Sequence, residues 1–135
     1  MESKMTLPIT TLLAAVLGLW LIMLSMRVVS IRRKQKISIG HGNNDELHRR
    51  QRGHANLIEY APLTIVLFAL AEIQNQNIYF LIVLAAMFFI ARIVHGCVFS
   101  FFKPNLKLRT YSMLATFLCI AALSISNIIL VVMSF

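Results

Sequence analysis

The chain has 135 residues, which is enough for a single domain covering residues 1–135 and too short for two ordinary ones. Hydrophobic residues make up 59% and charged residues only 13%, whereas a soluble domain usually has about 45–50% and about 25%. This composition excludes a disordered chain and an ordinary cytosolic enzyme. The net charge of +8 does not indicate nucleic acid as a partner, because a nucleic-acid-binding domain would not carry four long apolar segments.

Four apolar segments follow one another along the chain. They cover residues 7–26, 57–73, 78–102 and 110–135. A helix needs about 20 apolar residues to cross a hydrocarbon layer about 30 Å thick. None of the segments alternates with period two, and an open sheet cannot lie in lipid. The sequence therefore predicts an all-α fold, an integral membrane four-helix bundle in contact with membrane lipid.

The basic residues predict the orientation of this bundle. Eight of them lie between the first and second segments, and three lie between the third and fourth. The turn at residues 74–77 has none, and the N-terminal stretch has only Lys4. Lysine and arginine concentrate in cytoplasmic loops. Both termini are therefore expected on the non-cytoplasmic side, with the two basic loops in the cytoplasm.

Polar residues enter the predicted spans from the cytoplasmic end. On one stripe of a helix that runs into the second segment lie Arg49, Arg52, Asn56 and Glu59, with Tyr60 beside it. The third segment contributes Arg92 and His95, Arg27 directly follows the first, and Arg109 directly precedes the fourth. A cluster with excess positive charge suits a small anionic ligand that carries several carboxylates and an amine.

Glu59 is the most informative of these residues. It lies about 10 Å further into the membrane than Arg52 at a rise of about 1.5 Å per residue. A carboxylate at that depth is costly, so it should face the bundle interior and have a partner. We therefore predict a Glu59–Arg92 ion pair. The alternative is that each arginine extends its head group towards water and the pair is only a packing contact.

The two cysteines and the remaining histidines give weaker indications of function. Cys97 and Cys119 lie in apolar sequence without a C-x-x-C spacing, which favours small buried side chains over a disulfide or a zinc site. His41 and His48 are predicted to be solvated loop residues, and His54 points away from the polar stripe. No spacing of ligands for a metal is present.

One stretch of the sequence resembles a known family. Residues 52–62, RGHANLIEYAP, match the pattern R-x-H-x-N-x-x-E-Y-x-P, and GHG at 40–42 followed by NDEL at 44–47 precedes it. These motifs resemble the MAPEG family, the membrane-associated proteins in eicosanoid and glutathione metabolism, and in particular its small bacterial inner-membrane branch. The resemblance implies a homotrimer of four-helix subunits, with glutathione bound between neighbouring subunits near the cytoplasmic face.

The resemblance also implies roles for individual residues. Arg109 matches the arginine that stabilises the glutathione thiolate and is the implied catalytic residue. The implied glutathione-binding residues are Arg27, Arg49, Arg52, Asn56, Glu59, Tyr60, Arg92 and His95. A free thiol has a pKa of about 8.5, and a nearby arginine lowers it, so more of the thiol is ionised at neutral pH. Phe99 stands where many catalytic members carry a tyrosine, so one hydroxyl contact is lost.

Three functions remain open on the sequence alone. The first is a glutathione-dependent membrane transferase or peroxidase that directs the thiolate against a lipophilic small-molecule electrophile. The second is a non-catalytic lipid-binding or scaffold protein on the same fold. The third is a small drug/proton exporter with Glu59 as the proton carrier, which the arginines around Glu59 disfavour.

Overall fold

A computed structural model describes residues 6–135 and contains four helices. They are α1 (Pro8–Gln35), α2 (Asp45–Ile73), α3 (Ile78–Ser100) and α4 (Leu106–Met133). Each of them is long and apolar enough to cross a membrane. The predicted all-α, four-helix membrane fold is therefore confirmed, and the predicted turn at residues 74–77 separates α2 from α3.

The starts of the helices follow from local chemistry. Asn44, Asn77 and Asn105 precede α2, α3 and α4, and each side chain accepts a hydrogen bond from a backbone N–H of the first turn. Such caps satisfy donors that otherwise have no partner in a helix. In α1, Pro8 occupies the first turn, where its missing N–H costs nothing.

Helices α2 and α3 form the centre of the bundle. Both pack against α1 on one side and against α4 on the other, while α1 and α4 do not meet within residues 6–135. The interface between the helices buries large apolar side chains, among them Leu24, Phe68, Phe88 and Leu123. The outward faces of the helices are rich in exposed apolar residues, as expected for surfaces that contact lipid.

Two helices continue well beyond the predicted spans. Helix α1 ends at Gln35, nine residues past position 26, and α2 begins at Asp45, twelve residues before position 57. At about 1.5 Å per residue these extensions add about 13 and 18 Å. Each extension has a buried apolar side chain, Ile31 in α1 and Leu47 in α2, so both pack against the rest of the protein. Arg49, Arg52 and Asn56 consequently lie on one continuous helix.

Glycines allow close approach of helices next to the polar residues. A Cβ atom added at Gly53 of α2 would lie 2.7 Å from the Cβ atom of Phe99 in α3. A Cβ atom added at Gly96 of α3 would lie 2.8 Å from Cζ2 of Trp20 in α1. Larger residues at these two positions would force the helices apart, so the glycines set the spacing of α1, α2 and α3 at the arginine-rich end.

Candidate functional site

A polar cavity of about 470 Å³ lies at the arginine-rich end of the bundle, between α2, α3 and α4. Its walls carry three arginines, two histidines, an asparagine and three large side chains: Arg49, Arg52, Arg109, His48, His95, Asn56, Tyr60, Phe99 and Met113. Arg49, Arg52, Asn56, Tyr60, His95 and Arg109 are among the residues that the sequence singled out. Among residues 6–135 no carboxylate belongs to the lining, so the cavity offers mainly hydrogen-bond donors and positive charge.

Helical spacing explains why these side chains converge. On α2 the lining residues are three or four positions apart from Arg49 to Tyr60, which keeps them on one face of the helix. On α3, His95 and Phe99 are one turn apart, with ring centroids 4.8 Å from each other. On α4, Arg109 lies in the first turn. The three faces meet where Gly53 lets α2 approach α3.

Arg92 lies directly behind the cavity and is almost fully buried, with 2% of its surface exposed. Its Nη1 donates to Oδ1 of Asn56 at 2.6 Å, and its Nη2 donates to Oγ1 of Thr116 at 2.5 Å. The guanidinium also lies over the ring of Tyr60, 5.8 Å from its centroid. A buried charge without a partner is very costly. The neutral acceptors of α2 and α4 supply the partners here.

The three arginines of the lining have few acceptors within the chain. Arg52 pairs with Glu59 at 3.7 Å, and both side chains are half exposed. Nη1 of Arg49 is buried and has no hydrogen-bond partner in the described part of the chain. The guanidinium of Arg109 lies 5.3 Å from the centroid of the Phe99 ring. Donors that the protein does not use itself are available to an anionic ligand.

A smaller, largely apolar recess of about 180 Å³ adjoins the polar cavity. It shares Arg49, Phe99 and Arg109 with the cavity, and its other walls come from the end of α3, the α3–α4 loop and the start of α4: Val98, Pro104, Asn105 and Leu106. Arg109 therefore stands at the boundary between a polar and an apolar compartment. Such a position suits a reaction between a charged nucleophile and an apolar compound.

The predicted Glu59–Arg92 ion pair is wrong. Arg92 is bonded to Asn56 and Thr116, whereas Glu59 lies beside Arg52 and is exposed on the outside of the single bundle. Three residues along a helix turn the side-chain direction by about 300°, so Glu59 is offset from Asn56 by about 60° around α2. Asn56 reaches the interior and Glu59 does not, and neutral oxygen atoms are the partners of the buried guanidinium.

Arg27 does not lie in the cavity. Its Nη2 and Nε donate to the backbone oxygen of Ser100 at 2.6 and 3.2 Å, and its guanidinium stacks 4.5 Å from the centroid of the Phe101 ring. Ser100 is the last residue of α3, so its oxygen has no partner within the helix. Arg27 joins α1 to the end of α3, which is a structural role in the single chain.

Two lining residues, His48 and Met113, were not predicted from the sequence. His48 was predicted to be a solvated loop residue, but it belongs to the first turn of α2 and lines the cavity, with its ring 4.8 Å from that of His41. The capping asparagine at 44, followed by Asp45 and Glu46, is a helix-start signature that places His48 one turn before Arg52. Met113 was missed because an apolar residue one turn after Arg109 carries no distinctive signal.

These features define a four-helix membrane protein with an arginine-rich polar cavity at one end of the bundle. The sequence matches the model of the MAPEG family over residues 10–129, so the chain belongs to the MAPEG family. It is 25% identical over 120 residues to a protein named Inner membrane protein YecN from Escherichia coli strain K12, and to its namesake from strain CFT073. The match covers 89% of this chain and 90% of each relative. Together with the four apolar helices, this relationship indicates a multi-pass inner-membrane protein of a small bacterial branch.

Proposed function

We propose that the protein is a glutathione-dependent transferase or peroxidase of the membrane, which activates the glutathione thiolate against a lipophilic electrophile. The observation that carries this proposal is the cavity itself: in the described part of the chain three arginines and no carboxylate line it, and an apolar recess adjoins it at Arg109. Family membership is consistent with glutathione as the cosubstrate.

The residues match the groups of glutathione one by one. The tripeptide has two carboxylates, one ammonium and one thiol. Arg49 and Arg52 hold the carboxylates, since guanidinium and carboxylate form paired hydrogen bonds. Glu59 lies outside the cavity lining but beside Arg52, and it takes the ammonium from that side. Arg109 stabilises the thiolate, which is the nucleophile, and Tyr60 and His95 complete the wall. The electrophile reaches the thiolate through the apolar recess.

Isothermal titration of glutathione into the detergent-purified protein tests the binding step. We expect saturable heat at millimolar glutathione or below, and conjugation of a model aryl halide by the occupied protein. The Lys107→Ala variant is the control for a general effect of positive surface charge on binding. Lys107 is exposed and lies outside both compartments, so this variant should bind glutathione as the wild type does. The absence of binding heat at millimolar glutathione would contradict the proposal.

A non-catalytic lipid-binding or scaffold protein is the second candidate, and one observation favours it. Phe99 lines both the cavity and the recess, and it supplies no hydroxyl at the place where Arg109 meets the apolar compartment. Glutathione binding without conjugation of aryl halides or reduction of lipid hydroperoxides would select this candidate.

We also propose a homotrimer with glutathione between subunits. Arg52 and Glu59 are half exposed on the outside of the single bundle, on a helix long enough to span the membrane. Charged groups are costly where lipid is the solvent. A neighbouring subunit packed on this face would shield Arg52 and Glu59 from lipid. Mass measurement in mild detergent should give three chains per particle. A stable monomer that binds glutathione would contradict this assembly.

The distribution of lysine and arginine further supports an orientation with both termini outside the cytoplasm and the cavity at the cytoplasmic face. A reporter that fluoresces only in the cytoplasm should stay dark when fused to the C-terminus. The same reporter inserted into the 36–44 loop should fluoresce. The opposite pattern would reverse the orientation and move the cavity away from cytoplasmic glutathione.

A further inference from the structure

The contact between Arg92 and Asn56 fixes the direction of the Asn56 amide. Nη1 of Arg92 lies 2.6 Å from Oδ1 of Asn56. A guanidinium only donates hydrogen bonds, so the atom that meets it must be the amide oxygen and not the amide nitrogen. The amide NH2 group is then directed away from Arg92. Since Asn56 lines the cavity, its two N–H donors are available on that side.

Arg92 itself is held in place from several directions. Its Nη2 donates to Thr116, whose hydroxyl donates in turn to the backbone oxygen of Ser112 at 3.0 Å. The rings of Tyr60 and Phe88 lie 5.8 and 5.9 Å from the guanidinium carbon. Arg92 is also absent from the residues that line the cavity. A guanidinium bonded across three helices in this way acts on a ligand through Asn56.

We infer that Arg92 is a positioning residue: by holding the amide oxygen of Asn56 it leaves only N–H donors at that position, which can meet a carboxylate or peptide carbonyl of the bound glutathione but not its ammonium. This inference rests on the proposed function and adds which chemical group of the ligand meets α2 at this depth. Two N–H donors do not stabilise an ammonium, so the ammonium of the bound tripeptide lies away from Asn56.

Asn56→Asp is the most discriminating variant. Aspartate keeps the shape of asparagine but replaces the two donors with an acceptor, which repels a carboxylate or carbonyl of the ligand. The same carboxylate can pair with Arg92. We therefore expect the dissociation constant of glutathione to rise by about 100-fold or more, while the melting temperature of the ligand-free protein stays the same or rises. Asn56→Ala, which only removes the donors, should weaken binding by about 10-fold.

Asn77→Asp is the matched control, because it makes the same chemical change at the opposite end of the bundle. Asn77 caps α3 through its side-chain oxygen, and aspartate is an equally good cap. Its glutathione affinity and its melting temperature should both equal those of the wild type. A loss of affinity in Asn77→Asp would mean that added negative charge alone, and not its place beside Arg92, weakens binding.

Substitutions of Arg92 separate positioning from packing. Lysine at position 92 still donates to the Asn56 oxygen, so Arg92→Lys should retain glutathione affinity within about 3-fold, whereas Arg92→Met should lose about 10-fold or more. A purely structural role would make binding follow stability in all these variants. Opposite changes of affinity and melting temperature in Asn56→Asp are not expected from such a role.

The outcomes distinguish this inference from the function on which it rests. If the wild-type protein gives no heat with glutathione, the proposed function fails and the ligand group assigned to Asn56 fails with it. If the wild type binds and Asn56→Asp binds equally well, the inference alone is wrong. Greater loss in Asn56→Ala than in Asn56→Asp would likewise show that Asn56 acts as an acceptor and that Arg92 does not orient it.

Discussion

Both ends of the bundle place polar groups at a membrane face. At one end the charged and amide groups find hydrogen-bond partners within the part of the chain that the structure describes, and at the other several cationic groups do not. At the end opposite the arginines, both carboxylate oxygens of Glu72 accept backbone N–H groups, from Ile9 and Thr10, at 2.9 Å. The Asn127 amide accepts from Gln74 at 2.9 Å and donates to the backbone oxygens of Leu67 and Leu123 at 3.1 and 2.9 Å. In the described chain, the buried side-chain atom left over at this end is the neutral Thr10 hydroxyl.

The arginine-rich end differs in kind. Buried guanidinium nitrogens of Arg49, Arg50 and Arg92 have no partner within residues 6–135. Of these three residues only Arg49 lines the cavity, and no carboxylate of the described residues lines it. Polar groups inside a membrane cost free energy unless they are paired. A fold that pairs its charged groups at one end and leaves cationic donors without partners at the other is the arrangement expected if the first end is a structural network and the second is the proposed ligand site.

Among the substitutions that test the difference between the two ends, Arg109→Ala should have the largest effect, and this effect should be on turnover. Arg109 stands in the first turn of α4, where the helix dipole adds further positive potential. Stabilisation of a thiolate acts on the reactive state more than on the bound thiol. We expect turnover of a model aryl halide to fall by about 100-fold or more, with little change in glutathione affinity. Arg52→Ala should chiefly weaken binding.

Steady-state kinetics and the ultraviolet absorbance of the bound thiolate measure this difference. Lys107→Ala, two residues earlier on the same helix, should leave both unchanged. Full activity and a full thiolate signal in Arg109→Ala would make Arg109 a basic residue of the membrane face without a catalytic role.

Gly53→Ala should have an intermediate effect, on stability and on the cavity together. The added methyl group would overlap the Cβ atom of Phe99 at 2.7 Å, so α2 and α3 must separate. Overpacking of this kind costs about 1–3 kcal/mol, and the displaced Phe99 should also lower glutathione affinity. Thermal unfolding and titration on the same sample measure both quantities.

Gly18→Ala is the matched control for this change. Among the described residues nothing lies within 4 Å of the position of its Cβ atom, and alanine favours a helix over glycine by about 1 kcal/mol. The Gly18 variant should therefore be at least as stable as the wild type. If Gly53→Ala behaves in the same way, the close approach of α2 and α3 does not set the geometry of the cavity.

The sequence predicted the fold well because hydropathy reports the lipid-facing parts of helices directly. It predicted neither the start of α2 nor the extension of α1, because these turns lie in polar sequence. The R-x-H-x-N-x-x-E-Y-x-P motif correctly brought Arg52, Asn56 and Tyr60 to one cavity. The partner of Arg92 was not predictable, since Asn56 and Glu59 are close in sequence and only the packing of α2 on α3 decides which of them faces inward.

Glu72→Gln should have the smallest effect, and it tests the structural end of the comparison. The carboxylate accepts the free N–H groups at the start of α1, where the helix dipole also favours negative charge. Glutamine keeps one acceptor and loses the charge, so the expected cost is about 1 kcal/mol of stability. Glutathione affinity and turnover should not change, because the site lies at the far end of α2. Thermal unfolding with and without glutathione measures both effects. A loss of glutathione affinity in Glu72→Gln would show that the two ends of the bundle are coupled, and the division into a structural and a ligand-binding end would no longer hold.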